Sequence, residues 1–163
     1  WQLLAACNRK VLDSKTKRHF FVEHPKKITI KNAPAVNVAV PFHPDNTAMG
    51  ERAFRTGTDF YVADDLKKNK NYRLMHLFNF KDNTFVSGEL DQKLEAQLIH
   101  WLPVTNDLVH VEVLMPDGTV TKGLGEPSLR ELRVGTIVQF PRFGFCRFDH
   151  QEKETLVFWF AHR

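Results

Sequence analysis

Turn sequences break this chain so often that long helices have little room. Lys31-Asn32-Ala33-Pro34, Pro44-Asp45-Asn46, Lys81-Asp82-Asn83 and Met115-Pro116-Asp117-Gly118 all combine residues that favour tight reversals, proline by presetting φ and the others by tolerating the bend. Between them stand short runs rich in β-branched and aromatic residues, many alternating apolar with polar: "KKITIKN", "PAVNVAV", "GTDFYVA", "NYRLMHLFNF", "LVHVEVLM", "GTIVQF" and "TLVFWFAH". A period of two sends alternate side chains to opposite faces of a strand, so each run reads as a strand with one buried face. The Met115–Gly118 turn joins "LVHVEVLM" to "TVTKG" as a hairpin. The fold class is therefore all-β, and many short antiparallel strands favour barrels, which leave no exposed sheet edge. The strand-rich length suits one large barrel or two small ones.

Helical signals are few. From Trp1 to about Lys17 the apolar residues Leu4, Cys7, Val11 and Leu12 recur at near-helical spacing, which predicts a short N-terminal helix. Asp64–Asn69, Glu89–Gln97 and Glu126–Leu132 have room for helical turns, and Leu90, Leu94 and Leu98 give the second a helical spacing. "KGLGEPSL" reads as a tight turn leading into a helical turn, with Pro127 at its start. It lacks the third glycine and the βαβ setting of a dinucleotide fingerprint.

The histidines, eight in all, show no metal-ligand spacing such as HExxH, and no GxSxG frame marks a nucleophile. The sequence therefore predicts no catalysis within this chain. Cys7 and Cys146 form no CxxC pair and read as free thiols in a reducing compartment. No apolar run reaches the eighteen or so residues of a membrane span, so a cytoplasmic location is expected. A start at Trp1 without methionine is expected of a piece cut from a longer protein.

A net charge of +4 and a pI of about 9.1 are compatible with a polyanionic partner without requiring one. Basic residues gather at Arg9, Lys10, Lys15, Lys17 and Arg18, and again at Lys67, Lys68, Lys70 and Arg73; such clusters are also common on solvated faces. In single-stranded RNA the bases are unstacked, so guanidinium and amide groups can bond their edges while aromatic rings stack on their faces. "FGFCRF" fits the end of the RNA-recognition-motif signature, but Pro141 and Arg142 stand where a basic residue and glycine belong, and no amphipathic helices flank it. Phe143 and Phe145 suit stacking on bases or, more often for such residues, a core. Gln139 and Arg142 interrupt a strand otherwise fit for burial. With Pro141 between them they predict a bulge that turns both side chains outward.

Four segments in order, "NRKVLDSKTKRHFFVEHPKKI", "HPDNTAMGERAF", "IHWLP" and "GEPSLRELRVGTIVQFPRFGFCRFD", resemble the C-terminal anticodon-binding region of archaeal and eukaryotic glutamyl- and glutaminyl-tRNA synthetases. The resemblance implies two small stacked β-barrels over residues 19–163, with residues 1–18 as a helical connector from a catalytic half. It implies that Gln139 and Arg142 lie at the middle anticodon base, a uridine, that Arg18 lies near the anticodon, and that Arg73 reads the first base. Met75 stands where glutaminyl enzymes place a second arginine, and the insertion they carry before "EPSL" is absent; both point to an archaeal-type glutamyl enzyme. The implied partner is tRNA, glutamate tRNA first and glutamine tRNA second, with neither DNA nor membrane. The class I motifs of HIGH and KMSKS type are missing, so ATP and Mg²⁺ are expected for the parent enzyme and not for this fragment. A freestanding RNA-binding barrel of the rRNA-binding type, or a protein-interaction domain with an incidental basic surface, are the alternatives.

Overall fold

A computed structural model describes residues 12–163. The helix expected from Trp1 to about Lys17 falls mostly outside the described residues, as do Cys7, Arg9 and Lys10. What is described of it is helical only at Leu12 and Asp13, followed by a turn closed by the Lys15 amide on the Leu12 carbonyl at 3.0 Å, so among the described residues a helix reaching Lys17 is not supported.

The regular structure of the rest is almost entirely strand. The first half carries β1 (Phe21–Glu23), β2 (Lys26–Thr29), β3 (Asn37–Pro41), β4 (Glu51–Arg55), β5 (Asp59–Val62), β6 (Asn71–Leu74), β7 (Asn79–Lys81), β8 (Thr84–Ser87), β9 (Gln97–Ile99) and β10 (Leu102–Pro103). The second carries β11 (Val109–Leu114), β12 (Val120–Gly125), β13 (Ile137–Phe140), β14 (Gly144–Glu152) and β15 (Thr155–His162). Three small sheets, β10-β5-β2, β3-β4 and β8-β7-β6-β9, wrap one core; a single curled sheet, β1-β12-β11-β15-β14-β13, wraps another.

Phe20, Phe21 and Val22 hold the two cores together. Successive side chains of an extended chain point to opposite sides. Phe20 and Val22 therefore enter the first core, where Phe20 meets Phe54 and Trp101, while Phe21 enters the second against Phe140. The same segment closes the second sheet. β1 pairs with β12, and the residues just before it pair with β13, the Gln139 amide donating to the Lys17 carbonyl and the His19 amide to the Gln139 carbonyl, each at 3.0 Å. One continuous run thus bridges the two edges of the curled sheet.

Gly123 and Gly125, expected in a tight turn, lie instead in β12. A side chain there has no space: a Cβ at Gly123 would sit 2.3 Å from the Val22 carbonyl oxygen and 2.6 Å from the Phe21 ring. The Gly123→Ala variant is expected to lose about 1–3 kcal/mol of stability by forcing β1 away from β12. Urea titration of the variant checks this, and an unchanged midpoint would mean that β1 does not lie so close.

Three further expectations change. "NYRLMHLFNF" is a hairpin and not one strand: it reverses after Leu74, with the Leu77 amide on the Leu74 carbonyl and His76 at φ 61°, a left-handed conformation that histidine adopts more readily than most residues. The helical spacing of Leu90, Leu94 and Leu98 yields only a 3₁₀ turn at Gln92–Leu94, because Leu90 and Leu98 find no core and stay exposed. Asp64–Asn69 is an irregular loop. Pro127 does open a 3₁₀ turn, Pro127–Glu131, whose Leu129 is fully buried.

A buried polar cluster also ties the halves. Glu126, at the end of β12, accepts from Arg52 of β4, from Ser128 and from the Phe20 amide, and lies 3.0 Å from His19 Nδ1. Arg52 Nη1 donates to the Val40 and Pro41 carbonyls, and the guanidinium lies over the Phe20 and Phe42 rings.

Candidate nucleic-acid interface

In β13 the side chains of Val138 and Phe140 fill the core, so Gln139 between them points away from it and is half-buried. Because the chain before β1 runs beside β13, Arg18 and Gln139 are bridged directly. The strand then ends. Phe140-Pro141-Arg142-Phe143 forms a turn, with the Phe143 amide on the Phe140 carbonyl at 3.0 Å, and joins β13 to its antiparallel partner β14. The expected bulge is thus a hairpin turn, of the kind with proline second and a positive φ third. Arg142 takes that third place at φ 64°, which costs a non-glycine residue about 1–2 kcal/mol. Its side chain, 45% exposed, reaches to the first half and forms a two-pronged ion pair with Asp64, Nη1 to Oδ2 at 3.0 Å and Nη2 to Oδ1 at 2.9 Å.

Pro141 stands between two hollows at the junction of the halves. One is lined by Phe21, Glu23, Asp64, His100, Arg142 and Phe143; the other by Arg18, Arg52, Met75 and His76. Burial, with the Arg142 charge adding to it, pushes the His100 pKa down to about 4 against the pull of Asp64. His76 is lowered too, by burial and by Arg52 and Arg73. Both imidazoles are therefore neutral at neutral pH. Among the described residues, Arg18 Nε, Gln139 Oε1 and His100 Nε2 are buried without a protein partner. Buried polar groups are normally satisfied, so three such atoms at one junction mark a place where a ligand with polar edges fits.

Arg73 stands apart. It lies in β6 opposite Asn79, and its guanidinium donates to Asn79 Oδ1 and to the Gly88 and Glu89 carbonyls, bracing the segment after β8. Phe145 cannot stack on a base: it is 1% exposed and packs against His162. Phe143 is half-buried, edge-on to Phe21 and Phe160, with one side on the first hollow. Lys67, Lys68 and Lys70 are exposed on the loop that follows Asp64. Cys146 is a buried free thiol whose pKa burial pushes up to about 12.

Two residues of this junction carried no sequence signal as site residues. Asp64 lay in a run that read as a helical turn, and its partner is 78 positions away. His100 lay within "IHWLP", where its neighbour Trp101 is a core residue whose Nε1 donates to the Met75 carbonyl at 2.8 Å.

Residues 16–100 and 98–149 match two family models, each described as the anticodon-binding domain of class I tRNA synthetases (E and Q). Proteins named glutamate–tRNA ligase are similar over the whole of this chain, at 38% identity in Methanocaldococcus jannaschii and 36% in both Methanobrevibacter smithii and Pyrococcus abyssi. The chain spans 31% of the length of these relatives. No helix among the described residues is long and apolar enough to cross a membrane. The chain belongs to the anticodon-binding domain family of the class I tRNA synthetases for glutamate and glutamine.

Proposed function

We propose that residues 19–163 form the anticodon-reading unit of a glutamate–tRNA ligase, with residues 1–18 leading in from the catalytic part. In this reading the whole protein attaches glutamate to glutamate tRNA in the cytoplasm, using ATP and Mg²⁺ at a site that this chain does not contain. The observation that carries it is the junction itself: Gln139, Arg18 and Arg142 face away from the second core at one end of β13, beside two hollows and three buried polar atoms that find no partner among the described residues. Edge contacts from an amide and a guanidinium are what an unpaired uridine needs. Arg73 is assigned to the first anticodon base, which requires it to leave the carbonyls it now braces. The relatives named above are ligases, which favours this reading over a freestanding rRNA-binding barrel.

Binding of a synthetic hairpin RNA carrying the glutamate anticodon loop to the intact protein tests the proposal. Replacing the middle uridine by cytidine is expected to weaken binding. Arg142→Ala is expected to cost about 1–3 kcal/mol and to remove most of that discrimination. Equal binding of the two loops by the unaltered protein would refute the assignment.

A further inference from the structure

We infer that Asp64 is a specificity-positioning residue: by pairing with Arg142 across the junction it makes that guanidinium a reader of neutral base edges instead of a phosphate contact. The inference rests on the anticodon-reading proposal above and deepens it.

An arginine near RNA meets two kinds of acceptor. Phosphate oxygens are charged, abundant and identical along the chain, whereas the carbonyl edges of a base are neutral and specific. An unpaired guanidinium is drawn to phosphate by its charge. Arg142 is not unpaired: Asp64 cancels its formal charge through two parallel bonds of 3.0 and 2.9 Å. Such a fork fixes the plane of the guanidinium as well as its distance. It occupies one N–H on each Nη, and of the five N–H groups of arginine the other three stay available. Asp64 is itself held, since Gln97 Nε2 donates to its Oδ1 at 3.2 Å and its side chain is only 15% exposed. His100, which lines the same hollow, is neutral at neutral pH and does not compete for the carboxylate. Attraction to the RNA backbone is supplied a few residues away by exposed Lys67, Lys68 and Lys70. General charge and base reading are thus separated along one loop.

Arg142 is 45% exposed, and an ion pair that water reaches contributes little to folding, so Asp64 variants are expected to remain folded. The experiment compares the intact protein with its D64N and D64E variants on hairpin RNAs with uridine or cytidine in the middle anticodon position, over a series of salt concentrations. For D64N the slope of log affinity against log salt is expected to steepen by about 0.7, the signature of one added phosphate contact on a single strand. The uridine-to-cytidine affinity ratio is expected to fall by roughly tenfold, the weight of one base-edge contact. D64E, which keeps the charge, is expected to restore part of the ratio. An unchanged ratio in D64N overturns the inference whatever the overall affinity does, since a mere brace would alter both loops alike. If the unaltered protein already fails to discriminate, the anticodon-reading proposal falls first and this inference with it.

Discussion

Replacing Glu126 by alanine is expected to destabilise the protein by about 3–5 kcal/mol, a large part of the stability of an ordinary domain. Glu126 is fully buried, and both its oxygens are engaged. Oε2 accepts the Phe20 amide at 2.7 Å and Arg52 Nη2 at 3.0 Å; Oε1 accepts Arg52 Nε at 3.0 Å and the Ser128 hydroxyl at 2.5 Å. His19 Nδ1 lies 3.0 Å from Oε1, and an ionised carboxylate can only accept, so that nitrogen carries the proton. Truncation leaves Arg52, 9% exposed, as a buried cation without its counter-charge and leaves the Phe20 amide unpaired. Because Phe20 opens the run that serves both cores, the loss reaches both. Chemical denaturation should show a single transition at lower denaturant. The Arg52→Met, Glu126→Leu double variant should recover much of the loss, since a buried pair replaced whole by apolar groups leaves nothing unsatisfied. A Glu126→Ala loss below about 1 kcal/mol would mean that the carboxylate does not tie the halves.

Acid acts on the same cluster. Burial raises the Glu126 pKa, but bonds from His19 and Ser128 and the charge of Arg52 more than offset it, so the carboxyl lies below its ordinary value of 4.5. A depressed carboxyl stabilises the folded state above its unfolded pKa, and that stabilisation is lost as the pH falls below 4.5.

What was legible in the sequence is mostly what is local. The Met115–Gly118 hairpin needs only neighbouring residues: Gly118 N–H closes on the Met115 carbonyl at 2.9 Å, and Asp117 Oδ1 accepts the Thr119 amide at 3.0 Å. The outward face of Gln139 was expected from a bulge at Pro141, whereas in the structure it follows from the period of two between Val138 and Phe140. Pro141 correctly marked the end of regular pairing, though a hairpin turn and a bulge share that signal. Distant pairings left no trace. Nothing in "KRHFFVEH" says that its first residues pair with β13 and its last with β12, or that its two phenylalanines enter different cores. Asp64 gave no sign of Arg142. Arg73 was assigned from resemblance alone, and its engagement with the Gly88 and Glu89 carbonyls depends on the unforeseen reversal at His76. Phe145 shows the limit of composition: an aromatic beside arginine suits RNA as well as a core, and only the paired β14 and β15 decide.

Between pH 6.5 and about 4 the protein is expected to lose about 3 kcal/mol through His100 alone. Its imidazole is 6% exposed and packs edge-on to Phe20 at 5.7 Å, so the charged form is disfavoured by burial. Arg142 from the β13–β14 turn and His76 from the β6–β7 turn disfavour it further, while Asp64, after β5, favours it. With its pKa depressed on folding, the folded state holds fewer protons than the unfolded one. Its contribution is therefore complete above 6.5 and disappears as the pH falls to about 4, a window above that of Glu126. His100→Phe keeps a ring of similar size against Phe20 and removes the proton. Unfolding free energies measured at several pH values should therefore fall more steeply for the unaltered protein than for the variant, by a slope approaching one proton, the lowered His76 contributing to both curves, until the carboxylates titrate. Parallel curves would mean that His100 is hydrated in the folded state. In the folded protein His100 gains its proton only as the pH nears about 4; the cation it then places beside Arg142 attracts Asp64, so the ion pair across the junction should weaken there, and with it the separation of base reading from phosphate attraction.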